Sequence, residues 1–185
     1  MLTIVGIAGS LRRGSYNGML LRAAAELAPQ GTAVESASLQ GIPLYDGDLE
    51  AAHGIPEVVA DLKERIVRAH GVLLVTPEYN MSLPGVLKNA IDWLSRPASD
   101  IPRVFRDRPV ALMGATVGLG GTVSAQTAWL PVLRALGMRP WFGGRLYVSA
   151  AAKAFDADGH LVDEPVKTQV RAFMAGFAEF IAPAR

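Results

Sequence analysis

Short apolar runs alternate with longer amphipathic stretches along the whole chain. The run 71–76 (GVLLVT) is continuously apolar and rich in β-branched residues, as expected of a strand covered on both faces. The stretch 56–69 repeats its apolar residues at helical spacing, which predicts an amphipathic helix. The same two patterns predict strands at 2–8, 32–39, 71–76, 108–116 and 144–150, and helices at 17–28, 56–69, 83–94, 122–136 and 164–181.

Strands that alternate with helices of about 10–15 residues indicate βαβ units and a parallel sheet. Five strands and five helices suit a doubly wound, three-layer α/β/α sandwich. The length fits one domain over residues 1–185. The stretches 40–55 and 95–107 show no helical or strand period, so we expect them to be surface loops.

Two residues bear on where the helices begin and end. Ser82 is expected to cap the helix at 83–94, because a serine side chain can accept a hydrogen bond from the first turn. Pro131 is expected to kink or split the helix at 122–136, because proline has no N–H to donate inside a helix.

Composition and charge exclude several classes of protein. The chain has no cysteine, which excludes disulfides, thiolate ligands and cysteine nucleophiles and suits a reducing cytoplasm. The net charge of +1 gives no reason to expect nucleic acid or an anionic membrane as partner. No apolar stretch reaches the roughly 18 residues that span a bilayer. The N-terminus lacks the order of charged and apolar residues found in signal peptides. We therefore expect a cytoplasmic protein.

Glycine and polar residues follow three of the predicted strands. The segments are GSLRRGSYN (9–17), TPEYNMSLPG (76–85) and GATVGLGGT (114–122). The carboxyl ends of parallel strands meet at one edge of a sheet, and ligands bind there near the topological switch point. The three loops therefore predict one binding site.

The first loop combines fixed positive charge with short polar side chains. Arg12 and Arg13 supply the charge, and Ser10 and Ser15 supply hydroxyl groups. The loop leads into a helix N-terminus, which favours anions. It matches neither a Walker A loop nor the GxGxxG fingerprint, so a monophosphate is favoured over a triphosphate or pyrophosphate. A capped turn with solvated arginines is the alternative.

The other two loops favour a flat ligand. In PEYN (77–80), the proline and the aromatic ring restrict the chain, and its backbone can face the edge of a planar heterocycle. The third loop has four glycines in nine residues, which let a ligand approach the main chain closely. Taken singly, PEYN also fits a rigid turn with a helix cap, and the third loop also fits a flexible connector.

Together these segments, with IPLYDGDLE (42–50) and the longer run PEYNMSLPGVLKNAIDWLSRP, resemble the NADPH-dependent FMN reductase family. This group includes bacterial chromate, quinone and azo-dye reductases. The resemblance covers almost the whole chain and implies a flavodoxin-like fold with strand order 2-1-3-4-5. It also implies FMN as cofactor and NADPH or NADH as co-substrate. In the implied ping-pong reaction, hydride passes to flavin N5 and electrons then pass to a small acceptor.

The resemblance also implies which residues contact the flavin. We expect no catalytic side chain and no metal ligand, since the flavin itself carries the electrons. The family is usually dimeric or tetrameric, which makes the helix LKNAIDWL (87–94) an interface candidate. The residues that match the family's contacts are Ser10, Arg12, Ser15 and Asn17 for the phosphate, with Tyr16 beside them; Pro77, Glu78, Tyr79 and Asn80 for the isoalloxazine; and Thr116 and Gly118 for its other edge.

The chain departs from the family at two positions. Thr122 and Ser124 stand where the family commonly has a glycine and an arginine. A serine at position 124 cannot make the charged contacts that this arginine makes in the family, including those between subunits. Quinones, chromate, azo dyes, ferric chelates and free flavin all suit an exposed flavin as acceptors.

Other classes of protein and of site fit less well. A flavodoxin-like electron carrier is the main alternative, but flavodoxins tend to be strongly acidic, unlike this chain. A flavin-free binding protein on the same fold is a third, weaker alternative. Metal binding is not expected, because His53, His70 and His160 are scattered without carboxylate partners, and Asp46 and Asp48 fall in the family's rim loop.

Overall fold

A computed structural model describes residues 1–182. The strands are β1 (Leu2–Ala8), β2 (Thr32–Ala37), β3 (Gly71–Val75), β4 (Pro109–Ala115), β5 (Arg139–Pro140) and β6 (Tyr147–Val148). The helices are α1 (Tyr16–Glu26), α2 (Gly47–His53), α3 (Glu57–Arg68), α4 (Gly85–Leu94), α5 (Ile101–Val104), α6 (Val123–Ala135), α7 (Ala151–Ala154) and α8 (Glu164–Ile181), with a 3-10 turn at Ala98–Asp100. Among these described residues, no helix is both long and apolar enough to cross a membrane.

The strands form one parallel sheet in the order β2-β1-β3-β4-β5, and β6 also pairs with β4. This confirms the predicted parallel sheet and its 2-1-3-4-5 order. All five residues of β3 are buried, as the continuous apolar run predicts for a central strand.

Helices cover both faces of the sheet. In β1, Val5 and Ile7 point into the core beneath α3, α4 and α6, while Ile4 points into the core beneath α1 and α8. This alternation follows from the two-residue period of a strand. Because α1 and α4 leave β1 and β3 towards opposite faces, a crevice opens between the carboxyl ends of these two strands.

The fifth strand position differs from the prediction. Instead of one strand at 144–150, two short segments pair with β4, at Val110↔Pro140 and Gly114↔Tyr147. Between these two pairs β4 advances by four residues, whereas the segment paired with it advances by seven. Three extra residues therefore loop out between β5 and β6. The ring of Trp141 turns into the core against Phe173, with ring centroids 5.0 Å apart. This anchors the start of the bulge.

Several short elements lie in the stretches predicted to be loops. Helix α2 begins after Asp46, whose carboxylate accepts a hydrogen bond from the N–H of Asp48 at 2.8 Å. Pro131 does not split its helix, because α6 runs without a break from Val123 to Ala135. Trp129 and Leu133 are fully buried on either side of Pro131, so core packing holds both halves in place.

Candidate functional site

Three loops meet at one edge of the sheet, since β1, β3 and β4 run parallel and end there. We call residues 9–15 loop 1, residues 76–84 loop 2 and residues 116–122 loop 3. Loops 1 and 2 touch at Gly9, where an added Cβ atom would lie 2.9 Å from the ring of Pro77. A glycine at the end of β1 is therefore required for this close approach.

Nine of the eleven residues predicted to contact the flavin line one cleft between these loops. Ala115 and Val117 complete its wall, and neither was among the predicted residues. Asn80 and Gly118 are exposed and do not line the cleft, although each follows a residue that does. The cleft has a volume of about 220 Å³. The nine residues are Ser10, Arg12, Ser15, Tyr16, Asn17, Pro77, Glu78, Tyr79 and Thr116.

Loop 1 ends in a helix N-terminus that suits an anion. Ser15 is the N-cap of α1, and its Oγ accepts a hydrogen bond from the N–H of Gly18 at 3.4 Å. The N–H groups of Tyr16 and Asn17 lie in the first turn, where no carbonyl of the helix can accept them. Arg12 is exposed, and its guanidinium lies 5.7 Å from the centroid of the Tyr16 ring. The hydroxyls, N–H groups and positive charge form the donor set that a phosphate needs.

The side chain of Asn17 has a structural role in addition to its place in the cleft. Its Nδ2 donates to the carbonyl of Ala115 at 2.9 Å, and its Oδ1 accepts from the N–H of Ala115 at 2.9 Å. The side chain is buried, and this pair of bonds joins the start of α1 to the end of β4. Asn17 therefore offers a phosphate its backbone N–H, while its amide fixes loop 1 against the sheet.

Loop 2 contains a tight two-residue hairpin. Tyr79 and Ser82 exchange both backbone hydrogen bonds at 3.0 Å, and Asn80 and Met81 between them have φ angles of 50° and 60°. Positive φ at both central positions is the geometry of a type I′ turn. The prediction that Ser82 caps the next helix is wrong, because Ser82 belongs to this hairpin and α4 begins at Gly85. Within residues 1–182, the N–H groups of Glu78, Asn80 and Met81 have no hydrogen-bond partner and remain available to a ligand.

The hairpin stores strain at Met81, which predicts a stabilising substitution. A side chain at positive φ costs about 1–2 kcal/mol in the left-handed region, whereas glycine adopts it freely. Met81→Gly should therefore raise the free energy of unfolding by about 0.5–1 kcal/mol after the entropy of the glycine is counted. The gain should be measured as a higher urea midpoint with an unchanged m-value. Met81→Ala is the matched control, since it removes the exposed side chain but keeps Cβ. An equal gain in Met81→Ala would show that backbone strain is not the cause.

Glu78 connects loop 2 to the helix that follows loop 3. Its Oε2 accepts a hydrogen bond at 3.0 Å from the N–H of Ala125, in the first turn of α6. The side chain of Thr122, the N-cap residue of this helix, makes no capping bond of its own. The Glu78 carboxylate thus serves as the cap from another loop, at the end of the helix where the dipole favours negative charge. This contact joins loop 2 to the start of α6.

Thr122, one of the two residues that depart from the family pattern, is part of the interior. It is fully buried, and its Oγ1 accepts a hydrogen bond from Nε2 of Gln126 at 3.0 Å. The same Nε2 also donates to the carbonyl of Leu146 at 3.1 Å. A Cβ atom on Gly114 would lie 2.2 Å from the backbone oxygen of Thr76 and 2.3 Å from Oγ1 of Thr122, so this position requires glycine.

Two more polar contacts hold loop 2. One joins it to loop 1, and the other is a buried hydrogen bond at its first residue. The hydroxyl of Tyr79 lies 3.4 Å from Oγ of Ser10. Thr76 is fully buried and accepts a hydrogen bond from Nε1 of Trp129 at 3.2 Å. Sequence reasoning missed Thr76, although a threonine directly between an apolar strand and a proline is a signal for such a role.

Polar contacts hold the loop that precedes α2. Tyr45 donates its N–H to Oδ1 of Asn89 and its hydroxyl to Oε2 of Glu50, at 2.8 and 2.9 Å. Arg96 also donates to Oε2 of Glu50 at 2.9 Å, and this bond is the main reason that the pKa of Glu50 is lowered. The loop is therefore tied to α4 and to the segment after it.

One cluster of metal-type ligands occurs among residues 1–182, and it lies in an exposed turn. His160 is paired with a carboxylate, contrary to prediction, since its Nδ1 lies 3.4 Å from Oδ2 of Asp156. The N–H of His160 donates a hydrogen bond to the Asp156 carboxylate, which is the main reason that the pKa of Asp156 is lowered, and the N–H of Asp158 donates a second one. These bonds are those of an ordinary aspartate turn.

The sheet order and the cleft define the class of protein. A parallel sheet ordered β2-β1-β3-β4-β5, with a helix N-terminus suited to an anion and a cleft at its switch point, is a flavodoxin-like architecture. The model of the NADPH-dependent FMN reductase family matches residues 2–153, and the chain belongs to this family. It is therefore an FMN-dependent NAD(P)H oxidoreductase, as the sequence motifs predicted.

Individual relatives agree with this assignment. The chain is 42% identical to an NAD(P)H-dependent FMN reductase of Pseudomonas aeruginosa over 92% of this chain and 90% of the relative. It is 38% identical to a 2-hydroxy-1,4-benzoquinone reductase of a Burkholderia species over 100% and 98% of the two chains. Among solved structures, the flavoenzyme NAD(P)H:(acceptor) oxidoreductase FerB of Paracoccus denitrificans is similar with a TM-score of 0.87, 33% identity and coverage of 98% and 97%.

Proposed function

We propose that this protein uses NAD(P)H to reduce bound FMN and then passes the electrons to a quinone-type acceptor. The observation that carries the proposal is the convergence of three loops on one cleft, with a phosphate donor set in loop 1 and free backbone N–H groups in loop 2. The donors of loop 1 suit one phosphate group, and FMN carries one phosphate group.

The protein's own residues would bind and orient the flavin. Arg12, Ser10 and the first turn of α1 would hold the phosphate, while the N–H groups of the loop 2 hairpin would face the polar edge of the ring. When bound, the flavin supplies the electron chemistry, taking hydride at N5 and giving electrons to the acceptor in a ping-pong sequence. No side chain is needed as a nucleophile or base, in agreement with the use of Glu78 as a helix cap.

The surroundings of the cleft favour a quinone over the other acceptors. Apolar side chains are exposed on all three loops, with Leu119 at 88% and Met81 at 73% exposure. Such a surface suits a flat, uncharged ring better than the chromate anion. Relatives named as quinone reductases support the same choice. Azo dyes, ferric chelates and free flavin are the competing acceptors for the assay.

The proposal extends to assembly and location. We propose a homodimer or homotetramer in the cytoplasm, with α4 at an interface between subunits. An open apolar groove between α4 and α6 supports this, since Ile91, Val132 and Leu136 line it. The absence of cysteine from the sequence suits a reducing compartment.

The central test is the identity and behaviour of the cofactor. We expect the purified protein to be yellow, to release FMN rather than FAD on denaturation, and to lose its visible flavin band rapidly when mixed with NADPH without oxygen. Steady-state assays with both nicotinamides and several acceptors should give the highest kcat/KM for a quinone. A protein that cannot be loaded with FMN would refute the assignment, and slow bleaching by both nicotinamides would favour an electron carrier.

A further inference from the structure

The bulge between β5 and β6 opens a second cavity at the edge of the sheet. It has a volume of about 210 Å³ and lies between β4, α6 and the segment 140–147. None of its lining residues lines the cleft described above. The two sites are nevertheless neighbours, because Gly121 of loop 3 packs so closely on Tyr147, which lines the cavity, that an added Cβ atom would lie 2.7 Å from it.

An unpaired stretch of β4 backbone faces this cavity. The carbonyl of Val110 accepts from the N–H of Trp141 at 2.8 Å, and the N–H of Gly114 donates to the carbonyl of Leu146 at 3.2 Å. Alternate residues of a strand point their backbone groups to the same edge, so those of Leu112 point there too. The pairing of β4 with β5 ends at Val110 and its pairing with β6 begins at Gly114, and no other hydrogen bond among residues 1–182 involves the N–H or C=O of Leu112 at this edge. A ligand with an adjacent donor and acceptor would bond to both groups in place of water.

The walls of the cavity add an aromatic surface and a positive charge. Phe142 is 69% exposed and Leu130 is 37% exposed, and both line the cavity. Arg145 also lines it, is exposed, and forms no ion pair with any residue between 1 and 182. A planar ring with a hydrogen-bonding edge and a negatively charged substituent matches this combination.

We propose that this cavity binds the adenosine end of NAD(P)H. Adenine carries an amino donor beside a ring-nitrogen acceptor, and these groups match the C=O and N–H of Leu112. Phe142 and Leu130 cover the ring, and Arg145 binds a phosphate group attached to the ribose of the adenosine. The position beside loop 3 puts the adenosine end next to the loop that faces the flavin. This inference rests on the proposed function, because it requires NAD(P)H to be the electron donor.

The kinetic test compares two donors that differ only in the adenosine end. Arg145→Gln and Phe142→Ala, tested in the FMN-loaded enzyme, should each raise the KM for NADPH roughly tenfold, the size of one lost charged or aromatic contact. The KM for reduced nicotinamide mononucleotide, which lacks adenosine, should be unchanged. Arg68→Gln is the matched control, since Arg68 is an exposed arginine at the end of α3. It should change neither value.

A binding measurement tests the same cavity without turnover. In FMN-loaded protein labelled with ¹⁵N-leucine, adenosine 2′,5′-bisphosphate should shift the amide resonance of Leu112 and compete with NADPH. The Arg145→Gln variant should need roughly tenfold more of this probe for the same shift.

Three results would overturn the inference. They are an unmoved Leu112 resonance, equal KM effects on the two donors, and wild-type KM values in both variants. Each can occur in an enzyme that binds FMN and oxidises NADPH normally, in which case the proposed function stands. Failure to bind FMN or to oxidise NADPH would instead refute the proposed function.

Discussion

Arg12→Ala is expected to weaken FMN binding by about 1.5–3 kcal/mol, or roughly 10- to 150-fold, while leaving the fold intact. The guanidinium lies at the mouth of the cleft beside Tyr16, and the nearby helix N-terminus already favours an anion. The side chain is exposed, so its removal takes little packing from the core. The lower end of the range should apply at high salt, because solvent ions screen exposed charges. The dissociation constant can be measured by quenching of flavin fluorescence.

Two controls separate a phosphate contact from a general charge effect. Arg13→Ala removes the neighbouring exposed arginine, which does not line the cleft, and it should change FMN affinity little. Riboflavin lacks the phosphate, so its affinity should be the same in Arg12→Ala and in the wild type. Equal losses for riboflavin and FMN would place Arg12 against the ring and would contradict its assignment to the phosphate.

The sheet and the meeting of the three polar loops at one edge were predictable because they depend on patterns that many residues share. The alternation of apolar runs and amphipathic stretches specifies the order of strands and helices. The parallel arrangement then requires the three polar loops to lie at one edge. These features do not depend on any single side chain, so local exceptions such as Pro131 did not disturb them.

The connections between the loops were not predictable, because they depend on contacts between residues far apart in the sequence. The position of Asn17 at the start of a helix predicts a phosphate ligand. Its side-chain amide instead makes two hydrogen bonds with the backbone of Ala115, 98 residues away. The motif around Glu78 predicts a contact with the flavin ring. Its carboxylate caps α6 by accepting a hydrogen bond from Ala125, 47 residues away. Polar side chains at a binding loop can satisfy the ligand or the neighbouring loops, and only the fold distinguishes these roles.

The fifth strand shows a different reason for error. The run 144–150 has the composition of a strand, but Trp141 before it must bury a large ring. Burying this ring against α8 while keeping both β5 and β6 paired with β4 requires extra chain between them. A period-two pattern contains no information about such an insertion. The resulting bulge leaves Leu112 unpaired and creates the second cavity.

Gly118→Leu is expected to weaken flavin binding by about 1–3 kcal/mol, or roughly 5- to 150-fold in the FMN dissociation constant, the cost of an overpacked contact. An added Cβ atom at Gly118 would meet only Oγ1 of Thr116, at 3.9 Å, so the protein without flavin has room for the side chain. The unfolding temperature measured without FMN should therefore match that of the wild type.

Gly120→Leu provides the matched control for this steric test. Gly120 is also an exposed residue of loop 3, and a Cβ atom there would meet nothing within 4 Å. If the ring lies against Gly118, only the Gly118 variant should lose FMN affinity and turnover. Equal losses in both variants would indicate that loop 3 is disturbed as a whole, and normal turnover in Gly118→Leu would exclude a ring at this position. Because both variants add the same side chain to the same loop, the difference between them reports the position of the flavin edge rather than the stability of the loop.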